Sequence, residues 1–62
     1  KWPPQTIVDD LLEKAEWGDF TRLEKILDRL EAEDNEYKGF CETIRVYARR
    51  FDDDAIIHYL NQ

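Results

Sequence analysis

His58 is the only histidine in the chain, and an exposed imidazole on a helical bundle can accept a phosphoryl group. A phosphotransfer histidine usually lies in the middle of a long helix, beside small and basic residues. His58 instead lies in the run Ile-Ile-His-Tyr-Leu, close to the last residue of the sequence. We therefore expect a partly exposed or core-edge histidine, and histidine phosphotransfer is the weakest of the functional hypotheses.

Metal ligands of the usual kinds are present, but their spacing does not suit a site. Cys41, the single cysteine, and His58 are far apart and lack the paired spacing of zinc ligands. The run Asp52 to Asp54 is continuous, whereas calcium loops place their ligands at alternate positions around a glycine. We expect a buried apolar thiol, aspartates that cap a helix, and neither metal nor cofactor.

Catalytic constellations are not evident in the sequence. Glu31, Glu33, Asp34 and Glu36 cluster around a predicted connection between helices, where charges are normally solvated. Paired carboxylates in acid–base catalysis need a cleft that shifts their pKa values. No nucleophile–histidine arrangement and no glycine-rich phosphate loop accompanies them, so we predict no catalytic residues and no enzyme activity.

Basic residues offer a different kind of chemistry. Arg22, Lys25 and Arg29 share one face of a predicted helix, and Arg45 and Arg49 share a face of another. Like charges at this spacing mildly destabilise a helix, which suggests a docking surface for an acidic partner. The alternative is that nearby acids, such as Glu24, Asp28 and Glu42, neutralise these positions.

Two tryptophans flank the first predicted helix, and tryptophan is enriched at protein interfaces. If both rings are exposed, they mark a contact surface. The predicted interaction surface therefore consists of Trp2, Trp17, Arg22, Lys25 and Arg29.

The overall charge restricts the partners. The formal net charge is −6, from 15 acidic and 9 basic residues, so we expect neither nucleic-acid binding nor docking on an anionic membrane. A lone cysteine fits a reducing compartment, and no apolar run approaches the roughly 20 residues of a membrane span. We therefore expect a soluble cytoplasmic protein.

Apolar spacing predicts the elements that position these side chains. Val8, Leu11, Leu12 and Ala15 lie at helical spacing and predict a helix over 4–17, after an extended segment over 1–5. Gly18 is expected to close this helix in a left-handed conformation, and Asp19 to cap the next, over 20–32. So short a link makes the two helices antiparallel neighbours.

A third apolar stripe, which ends at Phe51, predicts a helix over 35–50, and Asp52 is expected to cap a fourth over 53–60. The alternative is one bent helix over 35–60. Gly39 inside the third helix indicates either a close neighbour or an irregular first turn. The sequence thus predicts a single all-α domain over 1–62, a small bundle of three to four short helices.

Taken together, the motifs resemble those of a known helical segment: Pro-Pro, then Leu-x-x-Ala-x-x-Gly-Asp, Leu-x-x-Leu-Glu, Tyr-x-x-Phe, and a last helix opened by Phe-Asp. The residues that carry them are Pro3, Pro4, Leu12, Ala15, Gly18, Asp19, Leu27, Leu30, Glu31, Tyr37, Phe40, Phe51, Asp52, Ile56 and Leu60. Over residues 3–61 the chain resembles the small segment that follows the receiver domain in bacterial hybrid sensor histidine kinases and response-regulator proteins.

The resemblance implies a non-catalytic regulatory tail in a two-component signalling protein. Its partner would be the receiver or kinase domain of the parent chain, or a separate signalling protein. Two alternatives remain open at this point. The first is a self-associating or structural element that forms a homodimer, and the second is the phosphotransfer domain discussed for His58.

Overall fold

Four α-helices make up the structure, a computed structural model that describes all 62 residues. They are α1 (Gln5–Trp17), α2 (Phe20–Glu33), α3 (Lys38–Arg49) and α4 (Asp53–Leu60), and a 3₁₀ turn over Asn35–Tyr37 precedes α3. No strand is present. The predicted all-α bundle of sequential neighbours is therefore confirmed.

The helices form a closed ring in which each packs against two others. α1 packs against α2 and α4, and α3 packs against the same two helices, while the diagonal pairs make no close backbone approach. Their inward faces bury one apolar core, because each helix carries its apolar residues at helical spacing. The core residues are Val8, Leu11, Ala15, Leu23, Leu27, Leu30, Phe40, Cys41, Ile44, Ala48, Ile56 and Leu60.

The link between α1 and α2 has the predicted chemistry. Gly18 is left-handed, with φ 69°, and its N–H donates to the carbonyl of Ala15, while the N–H of Asp19 donates to that of Lys14. This bonding closes α1 in a Schellman motif. The carboxylate of Asp19 then accepts a hydrogen bond from the N–H of Arg22 at 3.2 Å and caps α2.

The link between α3 and α4 repeats this arrangement and excludes a single bent helix over 35–60. Phe51 is left-handed, with φ 54°, and its N–H donates to the carbonyl of Ala48, while the N–H of Asp52 donates to that of Tyr47. Asp52 caps α4 as predicted, since its carboxylate accepts from the N–H of Ala55 at 3.1 Å.

The start of α3 differs from the prediction of a helix from residue 35. Asn35–Tyr37 forms a 3₁₀ turn because the carboxylate of Asp34 accepts from the N–H of Glu36 and tightens the backbone there. A Cβ atom at Gly39 would meet no atom within 4 Å, so no neighbouring helix approaches closely. Of the two explanations offered for this glycine, the irregular first turn is the one that agrees with the structure.

Smaller differences occur at the other helix ends. α1 begins at Gln5, since Pro4 is the flanking residue, and α2 continues to Glu33. The extended N-terminal segment is therefore residues 1–4, and it packs on the bundle: Pro3 is buried and Trp2 contacts aromatic rings of α3 and α4. None of the helices combines the length and the apolar character that crossing a bilayer requires.

Candidate interaction surface

A shallow groove runs between α1 and α2 on the outside of the ring. Its lining is partly apolar and partly charged, and consists of Ile7, Asp10, Ile26, Arg29, Leu30 and Glu33. Helical spacing extends the α1 side of this groove to Lys14 and Trp17, and the α2 side to Arg22. We refer to the groove, together with Trp17, Arg22 and Lys25 at its margin, as the α1–α2 face.

Trp17 ends the α1 side of this face and is 64% exposed. The ammonium of Lys14 lies 5.1 Å from the centre of its ring, in cation–π geometry. Lys14 also hydrogen-bonds the carboxylates of Asp10 at 2.8 Å and Glu13 at 2.9 Å, and these bonds raise its pKa. The indole is thus held from one side, and its other side faces solvent.

Three exposed cations lie on the α2 side. Arg22 has a distant partner in Asp19, at 3.5 Å, whereas Lys25 and Arg29 have no carboxylate within 4 Å. Neutralisation by nearby acids does occur at Arg45, which bonds Glu31 at 2.6 Å and Asp28 at 2.7 Å. Nearby acids therefore neutralise Arg45, whereas Lys25 and Arg29 are exposed without an ion pair.

Trp2 lies apart from the other predicted surface residues. Its ring centre is 5.0 Å from that of Phe40 and 5.4 Å from that of Tyr59. Trp2 precedes α1, while Trp17 is the last residue of α1, so the two indoles belong to opposite ends of a helix about 20 Å long. Arg29 lines the groove, and helical spacing places Trp17, Arg22 and Lys25 along its margins, whereas Trp2 packs on α3 and α4.

A second exposed patch was not predicted. Phe51 was expected to extend the third apolar stripe, but its side chain is 72% exposed, because the left-handed backbone turns it out of that stripe. Arg50 and Arg49 precede it, and Val46 is exposed one helical turn earlier. We refer to Val46, Arg49, Arg50 and Phe51 as the α3 end face.

The conformation of Phe51 has a cost that its packing offsets only in part. A left-handed L residue costs roughly 1–2 kcal/mol. The ring lies edge-on to Phe20, with centres 5.4 Å apart, and such a pair contributes about 0.5–1.5 kcal/mol. Folding alone therefore gains little from an aromatic side chain at this position. An aromatic residue directly after a pair of arginines is the sequence signal that could have indicated the patch.

His58 and Cys41, two of the groups considered for chemistry, lie outside both faces. His58 is exposed near the end of α4 and makes no ion pair. The thiol of Cys41 is buried and donates to the carbonyl of Leu27 at 3.4 Å, and burial raises its pKa. No three His, Cys, Asp or Glu side chains are grouped so that they could hold a metal ion, and no buried side-chain nitrogen or oxygen lacks a hydrogen bond.

No family model matches the chain, and no curated protein or solved structure is similar to it.

Proposed function

We propose that this chain is a non-catalytic protein-interaction module that binds another protein through its α1–α2 face. The observation that carries the proposal is the exposed indole of Trp17 beside a groove with two unpaired cations, Lys25 and Arg29. Tryptophan and arginine are the residues that most often dominate the binding energy of an interface. An acidic partner surface with an apolar side chain for the groove fits this arrangement.

The setting we propose is a two-component signalling protein in the cytoplasm, in which the module regulates an adjoining receiver or kinase domain. The support is the run of motifs from Pro3-Pro4 through Gly18-Asp19 to Phe51-Asp52, which resembles the segment after receiver domains. In this setting, phosphorylation changes the partner, and the module senses the change as a change in binding.

A titration against receiver domains tests the proposal. The 62-residue chain is titrated with a panel of receiver domains, each unphosphorylated and phosphorylated, and binding is followed by calorimetry. We expect at least one receiver to bind, with an affinity that depends on phosphorylation. Trp17→Ala and the double variant Lys25→Ala/Arg29→Ala should each weaken binding by about tenfold or more, equivalent to 1.4 kcal/mol.

Lys38→Ala is the matched control, because Lys38 is an exposed lysine without an ion pair and lies outside the α1–α2 face. It should leave the affinity unchanged. Indifference of the chain to every receiver, in both states, would count against the regulatory function. If sedimentation then showed a dimer at micromolar concentration that Trp17→Ala disrupts, the alternative of a self-associating element would replace it.

A further inference from the structure

The α3 end face lies mainly on α3, and its Phe51 ring contacts Phe20 at the start of α2. Helix α3 is diagonal to α1 in the ring and makes no close approach to it. A shallow groove lined by Glu42, Arg45, Val46 and Arg49 leads along α3 towards Phe51.

The charges of the α3 end face are unsatisfied. Arg49 and Arg50 have no carboxylate within 4 Å, although the chain contains 15 acidic residues. The nearest acids in sequence serve α4 instead: the carboxylate of Asp52 accepts from the N–H of Ala55, and that of Asp53 accepts from the N–H of Asp54. Both guanidinium groups are thus free to bind carboxylates of another molecule.

The apolar part of this face is present at an energetic cost to the fold. Phe51 adopts a left-handed conformation that glycine would adopt without strain, and its ring remains largely exposed. Backbone strain of this kind concentrates at functional sites, where the side chain is needed for something other than folding. Val46 provides a second exposed apolar side chain one turn away.

We propose that the α3 end face is a second docking site, and that its partner is an acidic segment of a protein with an apolar side chain that packs between Val46 and Phe51. Arg49 and Arg50 bind the carboxylates of this segment. The inference goes beyond the proposed function, since it adds a second binding site, built on α3 and the link to α4.

Amide chemical shifts of the labelled 62-residue chain test this site. The probe is a synthetic helical peptide that carries glutamates with one leucine and one phenylalanine, and the matched probe has lysine in place of every glutamate. The acidic peptide should shift the amides of residues 46–51 at low salt, and added salt should weaken its binding because the contacts are ionic.

Variants separate this site from the proposed function. Arg49→Ala/Arg50→Ala should lower the affinity for the acidic peptide by about tenfold or more. Phe51→Gly should lower it by about threefold or more. Phe51→Gly retains the fold, since glycine suits the backbone there, and its circular dichroism spectrum verifies this. Lys25→Ala/Arg29→Ala should leave peptide binding intact and weaken binding of the receiver domain. Failure of one proposal is therefore distinguishable from failure of the other.

Several results would overturn the inference. The first is that the acidic peptide changes only the amide chemical shifts of residues outside 46–51. The second is that the lysine peptide binds equally well, and the third is that Phe51→Gly has no effect on peptide binding. Stronger binding to vesicles of anionic phospholipid would assign the face to a membrane instead. Self-association through residues 46–51, in the absence of peptide binding, would assign it to a second copy of the chain.

Discussion

Gly18 and Phe51 occupy equivalent positions at two helix ends, and each is the left-handed residue before an aspartate that caps the next helix. Their φ angles are 69° and 54°, and in each case the N–H of this residue and the N–H of the following aspartate donate the same pair of hydrogen bonds to the preceding helix. Both links lie at one end of the bundle, because the ring of Phe51 contacts Phe20 at the start of α2. The same backbone is thus formed once by glycine and once by an aromatic residue.

Replacement of Gly18 should destabilise the bundle through its backbone alone. A Cβ atom there would meet nothing within 4 Å, so the cost of Gly18→Ala is the left-handed φ, about 1 kcal/mol in the free energy of unfolding by urea. Gly39→Ala is the control, because Gly39 has similar free space and a helical backbone. It should stabilise the chain by up to about 1 kcal/mol. Equal effects of the two variants would contradict this account.

Phe51 offers two substitutions that separate strain from packing. Phe51→Gly loses the contact with Phe20 but relieves the strain, so we expect a free energy of unfolding within about 1 kcal/mol of the original chain. Phe51→Ala loses the same contact and keeps the strain, so it should be about 1 kcal/mol less stable than Phe51→Gly. Chemical denaturation of both variants measures the difference, and an alanine variant as stable as the glycine variant would disprove the strain.

The two tryptophans should differ in their contribution to stability. Trp2 packs on Phe40 and Tyr59, and Trp2→Ala should cost about 2 kcal/mol through lost apolar burial and lost ring pairs. Trp17 contacts the Lys14 ammonium but no other aromatic ring, and Trp17→Ala should cost less than about 1 kcal/mol. Thermal or urea unfolding of the pair tests the ranking, which the reverse order would refute.

Arg45 joins α3 to α2 through ion pairs with two carboxylates, which we expect to contribute unequally to stability. Glu31 is 29% exposed and Asp28 is 71% exposed, so solvent screens the Asp28 pair more strongly. We expect a double-mutant cycle of Arg45→Ala with Glu31→Ala to give a coupling of about 1 kcal/mol, and the cycle with Asp28→Ala to give less than about half of that. A larger coupling to Asp28 would show that exposure does not decide the ranking.

Asp34 should make stability depend on pH in acid. The Lys1 ammonium, followed by the backbone N–H of Glu36, lowers the pKa of this carboxyl below its ordinary 3.8. The folded state therefore favours the ionised form, and this stabilisation is present above the ordinary pKa and is lost as the pH falls through the lowered value. Asp34→Asn keeps the cap and removes the charge, so it should be less stable at neutral pH and equal in strong acid.

Urea unfolding of Asp34→Asn and of the original chain, from neutral pH to about pH 2, measures this difference. Lys1→Ala serves as the control, because it removes the first cause of the lowered pKa of Asp34. In this variant, most of the pH dependence of the stability contributed by Asp34 should be lost. A stability difference that stays constant across the range would mean that the ion pair does not act.

Local signals made most of the fold predictable. The glycine and aspartate at 18 and 19, and the aspartate at 52, act on neighbouring backbone groups, so their roles can be read from sequence alone. The 3₁₀ turn before α3 depends on Asp34. Its carboxylate also accepts a hydrogen bond from the ammonium of Lys1, which is distant in sequence. Apolar periodicity carries no information about such a contact.

The candidate surface was predictable only in part, for a related reason. Helical spacing places Arg22, Lys25 and Arg29 on one face of α2, whereas the exposure of Trp17 was left open and is a finding of the structure. The position of Trp2 depends on rings from α3 and α4, and that of Phe51 depends on a sign change in one backbone angle. The positions of these two side chains are set by tertiary contacts or by a turn, and the helical periodicity of apolar residues carries no information about either.

The contact of Trp2 with Tyr59 also places the first and last helical turns of the chain beside each other. Polypeptide that entered the bundle at residue 1 and left it at residue 62 would do so at neighbouring points. Such a bundle can be inserted into a surface loop of a host protein without separating the two sides of that loop.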